Sequence, residues 1–232
     1  MKKLKYLFLT LLVAFCLTGC GDKKEEKLTN EEILKQASEN MKSLDNYHMN
    51  LTMDVTMSYE GASLSMSMSA KSDIDVKNNK GYMETTATFF GMTETIPSYF
   101  EINDGVTTTY TKNEDVWTKT TSEESANVDF NIFTSASSIE EVEGEENTYK
   151  INLTEEQIKE LMSSTGETEE EMDLSNVTIK VTVNDKKITK VQMNVPATEG
   201  TIDATFEFSK FNEVNNVTIP QEVIDNAILE EE

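Results

Sequence analysis

The chain has no arginine, one histidine (His48), three prolines and two cysteines (Cys16 and Cys20) among 232 residues. A single histidine leaves one possible imidazole base, with no second histidine, nucleophile elbow or glycine-rich phosphate loop beside it. That argues against an enzyme. The only basic side chains are 20 lysines, set against 43 acids, for a formal net charge of −23. Such a chain is repelled by phosphate backbones, which excludes nucleic acid as a partner. Two cysteines cannot make a disulfide framework, so stability has to come from a packed core. The acids around Asp73 and Asp75 lack EF-hand order because Lys77 stands where a ligand would be needed. No cofactor is expected.

What is present begins with Lys2, Lys3 and Lys5, followed by a mostly apolar run of 12 residues from Tyr6 to Leu17. A transmembrane helix needs about 20 residues, so this run has the length of a signal-peptide core. It ends in Leu17-Thr18-Gly19-Cys20, which resembles the bacterial lipobox. The resemblance implies that Cys20 receives a diacylglyceryl group and that residues 1–20 are removed. Cys16 leaves with them. The mature chain then carries 17 lysines against 43 acids, a formal −26. Anionic headgroups repel that charge, so the lipid itself has to hold the protein at the membrane. Two acyl chains suffice where one is marginal. Residues 21–28 form a tether of roughly 26–29 Å when stretched, and residues 29–232 form a single domain. The expected place is the extracytoplasmic face of the cell membrane, as a lipid-anchored monomer.

Within the domain, Thr29 and Glu32 form a capping box, Leu28 and Ile33 fit a hydrophobic staple, and Ile33, Leu34, Ala37, Met41 and Leu44 recur at helical spacing. The pattern then changes period. From Tyr47 to Tyr59 every odd residue is apolar and every even one is polar, with His48 on the polar side. After Glu60-Gly61 the apolar set moves to even positions: Leu64, Met66, Met68, Ala70, Ile74 and Val76. One dry and one wet face indicate an antiparallel sheet. Asn78–Gly81, Gly91, Asn103-Asp104-Gly105 and Lys112–Asp115 read as turns of a continuing meander. The stretch from Val128 to Ile139 is ambiguous, with a short helix as one reading. Thr154 and Gln157 repeat the capping box ahead of a mid-chain helix, three long strands follow through Phe208, and Pro220 opens a short final helix.

A capped helix, a long meander, a mid-chain helix and three closing strands resemble the lipoprotein-localisation superfamily of LolA-type and LolB-type carriers, mycobacterial lipid-binding lipoproteins and Gram-positive membrane lipoproteins. The phrases carrying the likeness are Ile33-Leu34-Lys35-Gln36-Ala37 through Tyr47-His48-Met49, and Phe208-Ser209-Lys210-Phe211-Asn212 through Ile219-Pro220. The resemblance implies a mainly β (α+β) fold: an open antiparallel half-barrel of about ten strands, its concave face covered by the N-terminal and mid-chain helices. The soluble carrier of that group steadies its lid with an arginine, which this chain lacks. A covered concave face implies a lipid or other lipophilic ligand.

Met53, Met57, Met66 and Met68 share the dry face, with Phe89 and Phe206 further along it. A two-residue turn at Glu60-Gly61 pairs Met53 with Met68; a four-residue turn pairs Met57 with Met66. These thioethers have three readings: core filling, a pliable lining for lipophilic ligands, or a soft Cu(I) site. The rival to ligand binding is an envelope interaction protein with a filled core and an acidic rim. Between Glu140 and Asp173 lie 13 acids and two lysines.

Overall fold

The computed structural model describes residues 28–59, 62–89, 91–123, 130–154, 156–158, 177–197 and 200–230. The expected signal sequence and all of the expected tether except Leu28 lie outside the described residues, as does the expected mid-chain helix beyond its first turn.

Helix α1 spans Asn30–Lys42. Its start is held as expected: Glu32 N donates to Thr29 Oγ1 (3.2 Å) and Thr29 N donates to Glu32 Oε2 (2.8 Å). Leu28, expected to staple onto Ile33, is exposed, while Ile33 packs on the core. The second capping box also forms, with Thr154 N donating to Gln157 Oε1 and Gln157 N to Thr154 Oγ1.

Among the described residues twelve strands make one sheet: β1 Asn46–Tyr59, β2 Ala62–Asp75, β3 Lys80–Phe89, β4 Met92–Asn103, β5 Val106–Asn113, β6 Val116–Ser122, β7 Ser138–Glu141, β8 Thr148–Asn152, β9 Thr178–Asn184, β10 Lys187–Ala197, β11 Gly200–Ser209 and β12 Ile228–Leu229. A 3₁₀ helix, Phe130–Thr134, lies between β6 and β7, and helix α2, Gln221–Asn226, precedes β12. The order is β12-β6-β5-β4-β3-β2-β1-β11-β10-β9-β8-β7. Two meanders therefore meet at the antiparallel β1–β11 pair, and among the described residues β12 and β7 are the two ends of the sheet. The sheet is open, in keeping with a half-barrel. Among the strands beyond the expected ten or so, β7 starts in the ambiguous segment and runs on to Glu141 ahead of a hairpin expected around Gly144–Asn147, and β12 stands where a helical end was expected. Neither is long enough for alternation to announce it.

The expected hairpins form where the chain supplies left-handed residues. Asp104 (φ 52°) and Gly105 (φ 81°) join β4 to β5, and Asp185 (φ 47°) and Lys186 (φ 60°) join β9 to β10. One turn residue was misplaced. Gly81 belongs to β3, not to the preceding turn, and lies opposite Phe100 of β4.

The main core lies on the odd-numbered face of β1. Leu34, Ala37 and Met41 of α1 pack with Tyr47, Phe208, Ile151, Ile179 and Val191 of the sheet, and Phe130 and Phe133 of the 3₁₀ helix close the cluster. Tyr47, Phe130 and Phe208 meet edge to face, their centroids 5.5–6.4 Å apart. Burial pushes the Tyr47 hydroxyl up from 10.0 to about 12. The unfolded chain gives up that proton near pH 10 while the folded chain keeps it. Stability supplied by the neutral phenol is thus intact below pH 10 and falls as pH rises toward 12, by about 2–3 kcal/mol at ~1.4 kcal/mol per pH step. Urea melts from pH 9 to 12 should show this slope, and Tyr47→Phe should reduce it, leaving the contribution of Tyr82, Tyr110 and Tyr149, whose pKa values burial also raises.

The opposite face was expected to be wet throughout. It is not. After β11 the chain crosses to that face, where Ile219, Val223 and Ile224 pack on Tyr110, Tyr99 and Trp117 as a second, smaller cluster. β12 then adds in parallel to the β6 edge, pairing Ile228 with Thr118. The strap is fixed by side-chain acceptors: Asn46 Oδ1 takes Val214 N (2.8 Å) and Asp75 Oδ2 takes Val217 N (3.2 Å).

Candidate apolar binding face

Register places the predicted residues on one surface. Tyr59 pairs with Ala62, which is the two-residue alternative, so Met53 faces Met68. Met57 then faces Leu64 and Met66 faces Val55, and the alternative Met57–Met66 pair does not form. Across β2 and β3, Met66 faces Phe89, and across β3 and β4, Phe89 faces Met92. The result is a cross-strand row, Val55–Met66–Phe89–Met92, flanked by Met57 and Leu64 at one side and by Met53 and Met68 at the other.

Exposure divides this face in two. Helix α1 lies over β7, β9 and β10 and against the 3₁₀ helix, and its side chains are completely buried there. At the far end of β1–β4 the side chains reach solvent: Met57 is 47% exposed, Met66 37%, Phe89 44% and Met92 71%. Met53 and Met68 are half-buried between the two regions. Phe206 is the exception among the predicted residues. It faces Leu51 and Val191 and packs against the main core, away from the exposed row. Met92 was missed because Gly91 reads as a break. Its signal was the two-residue Phe90-Gly91 spacing, which returns Met92 to the same face as Phe89.

Charge is scarce on this surface. In the paired rows of β1–β4 and β11, Glu94, opposite Ala87, is the charged residue on the apolar side, and no lysine stands there. The lysines and most acids take the other side. His48 is there too, but it does not simply face water: Nδ1 lies 2.6 Å from Asp73 Oδ1 and Nε2 lies 3.1 Å from Asn50 Oδ1. Also on that side, β9–β11 outline a shallow depression of about 170 Å³ lined by polar groups such as Thr178, Lys180, Gln192 and Asp203. Tyr110, beneath the strap, donates to Glu101 Oε1 (3.1 Å); burial and then the Glu101 charge raise its pKa. Among the described residues no three His, Cys, Asp or Glu side chains cluster as metal ligands, and no helix is long and apolar enough to cross a membrane.

A family model described as a family of unknown function, DUF6612, matches residues 29–228, nearly all of the chain after the predicted tether. The chain belongs to the DUF6612 family. No curated protein matches this DUF6612 chain in sequence. Among solved structures it is similar to LprF from Mycobacterium bovis (15% identity, 82% of this chain and 95% of that one, TM-score 0.39). It is also similar to a DUF1329 family protein from Desulfovibrio piger (9% identity, 83% and 94%, TM-score 0.36).

Proposed function

We propose that this DUF6612 protein is a lipid-anchored extracytoplasmic binding module that holds a lipophilic ligand against the more exposed end of its apolar face. One observation carries the reading: Met57, Met66, Phe89 and Met92 are exposed together and in register on one face, whereas the other exposed apolar side chains, such as Val106, Val116, Ile228 and Leu229, lie at hairpin ends or on the short edge strand. Contiguous exposed apolar surface marks a binding site more often than scattered residues do. Methionine suits that role because it is unbranched and polarizable and re-packs around varied shapes. The basic start, the short apolar run and Cys20 supply the anchor, and a tether of roughly 26–29 Å keeps the face close to its membrane. Binding, not catalysis, fits a chain whose one histidine lies on the opposite side of the sheet.

One sheet links elements from Asn46 to Leu229 with α1 packed on it, which supports using the chain from Gly21 onward for the test. That protein should bind a fluorescent fatty-acyl probe and carry extractable lipid detectable by mass spectrometry. Met66→Lys/Phe89→Lys should weaken probe binding at least tenfold, about 1.4 kcal/mol or more. Because the two lysines would stand opposite each other on β2 and β3, some loss of stability is expected, and binding is compared well below the lower melting temperature. Absence of any bound lipid or probe would instead favour the filled-core interaction protein, for which the tightly packed α1 half of the face speaks.

A further inference from the structure

Ser72 lies on the apolar face, paired with Met49 of β1 on one side and Met83 of β3 on the other. It is 1% exposed, and its Oγ is the one buried side-chain polar atom among the described residues without a hydrogen-bond partner. A buried hydroxyl left unpaired opposes folding, and replacing it by an apolar group of similar shape is neutral or favourable. Along β2 from Ser72 the same face presents Ala70, then Met68, then Met66. Exposure rises in that order, from buried through half-buried to exposed. The hydroxyl therefore stands at the closed end of an apolar track whose open end is the methionine–phenylalanine row.

We propose that Ser72 is the polar anchor of the bound lipid, donating its Oγ–H to the carbonyl of an uncharged long-chain acyl ester. This rests on the lipid-binding reading above. Two further features define the ligand. From Ser72 to Met66 is six residues of strand, roughly 20 Å, which matches about sixteen C–C bonds of an extended chain with bonds near 1.5 Å. The face around Ser72 carries no lysine and no histidine in the rows of β1–β4 and β11, so a buried carboxylate or phosphate would have no countercharge. A neutral ester carbonyl needs only a donor. Met49 and Met83, both half-buried and unbranched, are the side chains that re-pack to admit it.

The test uses the chain from Gly21 onward, wild type and Ser72→Ala, with two probes: 1-monopalmitoylglycerol and its ether analogue 1-O-hexadecylglycerol, which differ by the carbonyl alone. Competition against a fluorescent acyl probe gives both affinities, and thermal melts of the unliganded proteins give stability. Wild type should prefer the ester about tenfold, equivalent to ~1.4 kcal/mol. Ser72→Ala should bind ester and ether alike, at the wild-type ether affinity, while melting no lower than wild type. If both proteins bind the ester equally, the anchor is overturned and the binding reading stands. If wild type binds neither lipid, both are overturned.

Discussion

Replacing Gly81 with alanine lowers the stability of the domain by about 2–3 kcal/mol, the upper range for overpacking a well-filled site. A Cβ built on Gly81 would lie 2.1 Å from Phe100 Cε1 and 2.2 Å from Cζ, because the ring of β4 crosses directly over the α-carbon of β3. Phe100 is buried in the main core with Tyr47 and Ile74, so the ring has little freedom to swing aside. Phe100→Ala alone should cost about 3–5 kcal/mol through the cavity it leaves. In the double variant the added methyl meets no ring, so Gly81→Ala/Phe100→Ala should be no less stable than Phe100→Ala within about 0.5 kcal/mol. Urea unfolding of the four proteins measures this coupling. Strict additivity would show that the ring is not seated on Gly81.

That pair also shows where the sequence is legible. In β1, seven apolar odd positions against six polar even ones define strand, face and partner parity without further help, and the capping boxes at Thr29 and Thr154 mark helix starts through local hydrogen bonds. The shared face of Met53, Met57, Met66, Met68 and Phe89 was legible for the same reason: parity is a property of adjacent residues. Gly81 was not. Its role depends on a residue 19 positions away, and a glycine beside Asn78 and Asn79 reads as turn chemistry. The division of the apolar face into covered and uncovered ends was hidden as well, because β1 alternates identically at both ends. Among the described residues, α1 lies over β7, β9 and β10 and not over the methionine end of β1–β4, a placement that strand alternation does not encode. Ser72 broke no pattern either; serines alternate with apolar residues all along β2, and only the parity change from Ser69 to Ser72 moves it to the dry side.

The C-terminal strap was the largest surprise, and Asp75 is the residue on which its attachment can be tested. Asp75 sits on the polar face but is 2% exposed, since the strap lies over it. Its carboxylate accepts from Asn78 N (3.1 Å), from Asn78 Nδ2 (2.9 Å to Oδ2) and from Val217 N (3.2 Å). One side chain therefore closes the β2–β3 turn and clasps the strap. Asp75→Ala removes the acceptor for two backbone donors, each worth about 1.5–3 kcal/mol when bonded to a charged group, so a loss of roughly 3–5 kcal/mol is expected. Asp75→Asn keeps the shape and one acceptor oxygen and should lose less, about 1–2 kcal/mol. Hydrogen exchange gives a second, local reading. In Asp75→Ala the amides of Val217 and of β12 should exchange faster than those of β9–β11, because the strap opens before the sheet does. Equal protection of strap and sheet in that variant would mean that packing of Ile219 and Val223 on Tyr110 holds the segment without the carboxylate.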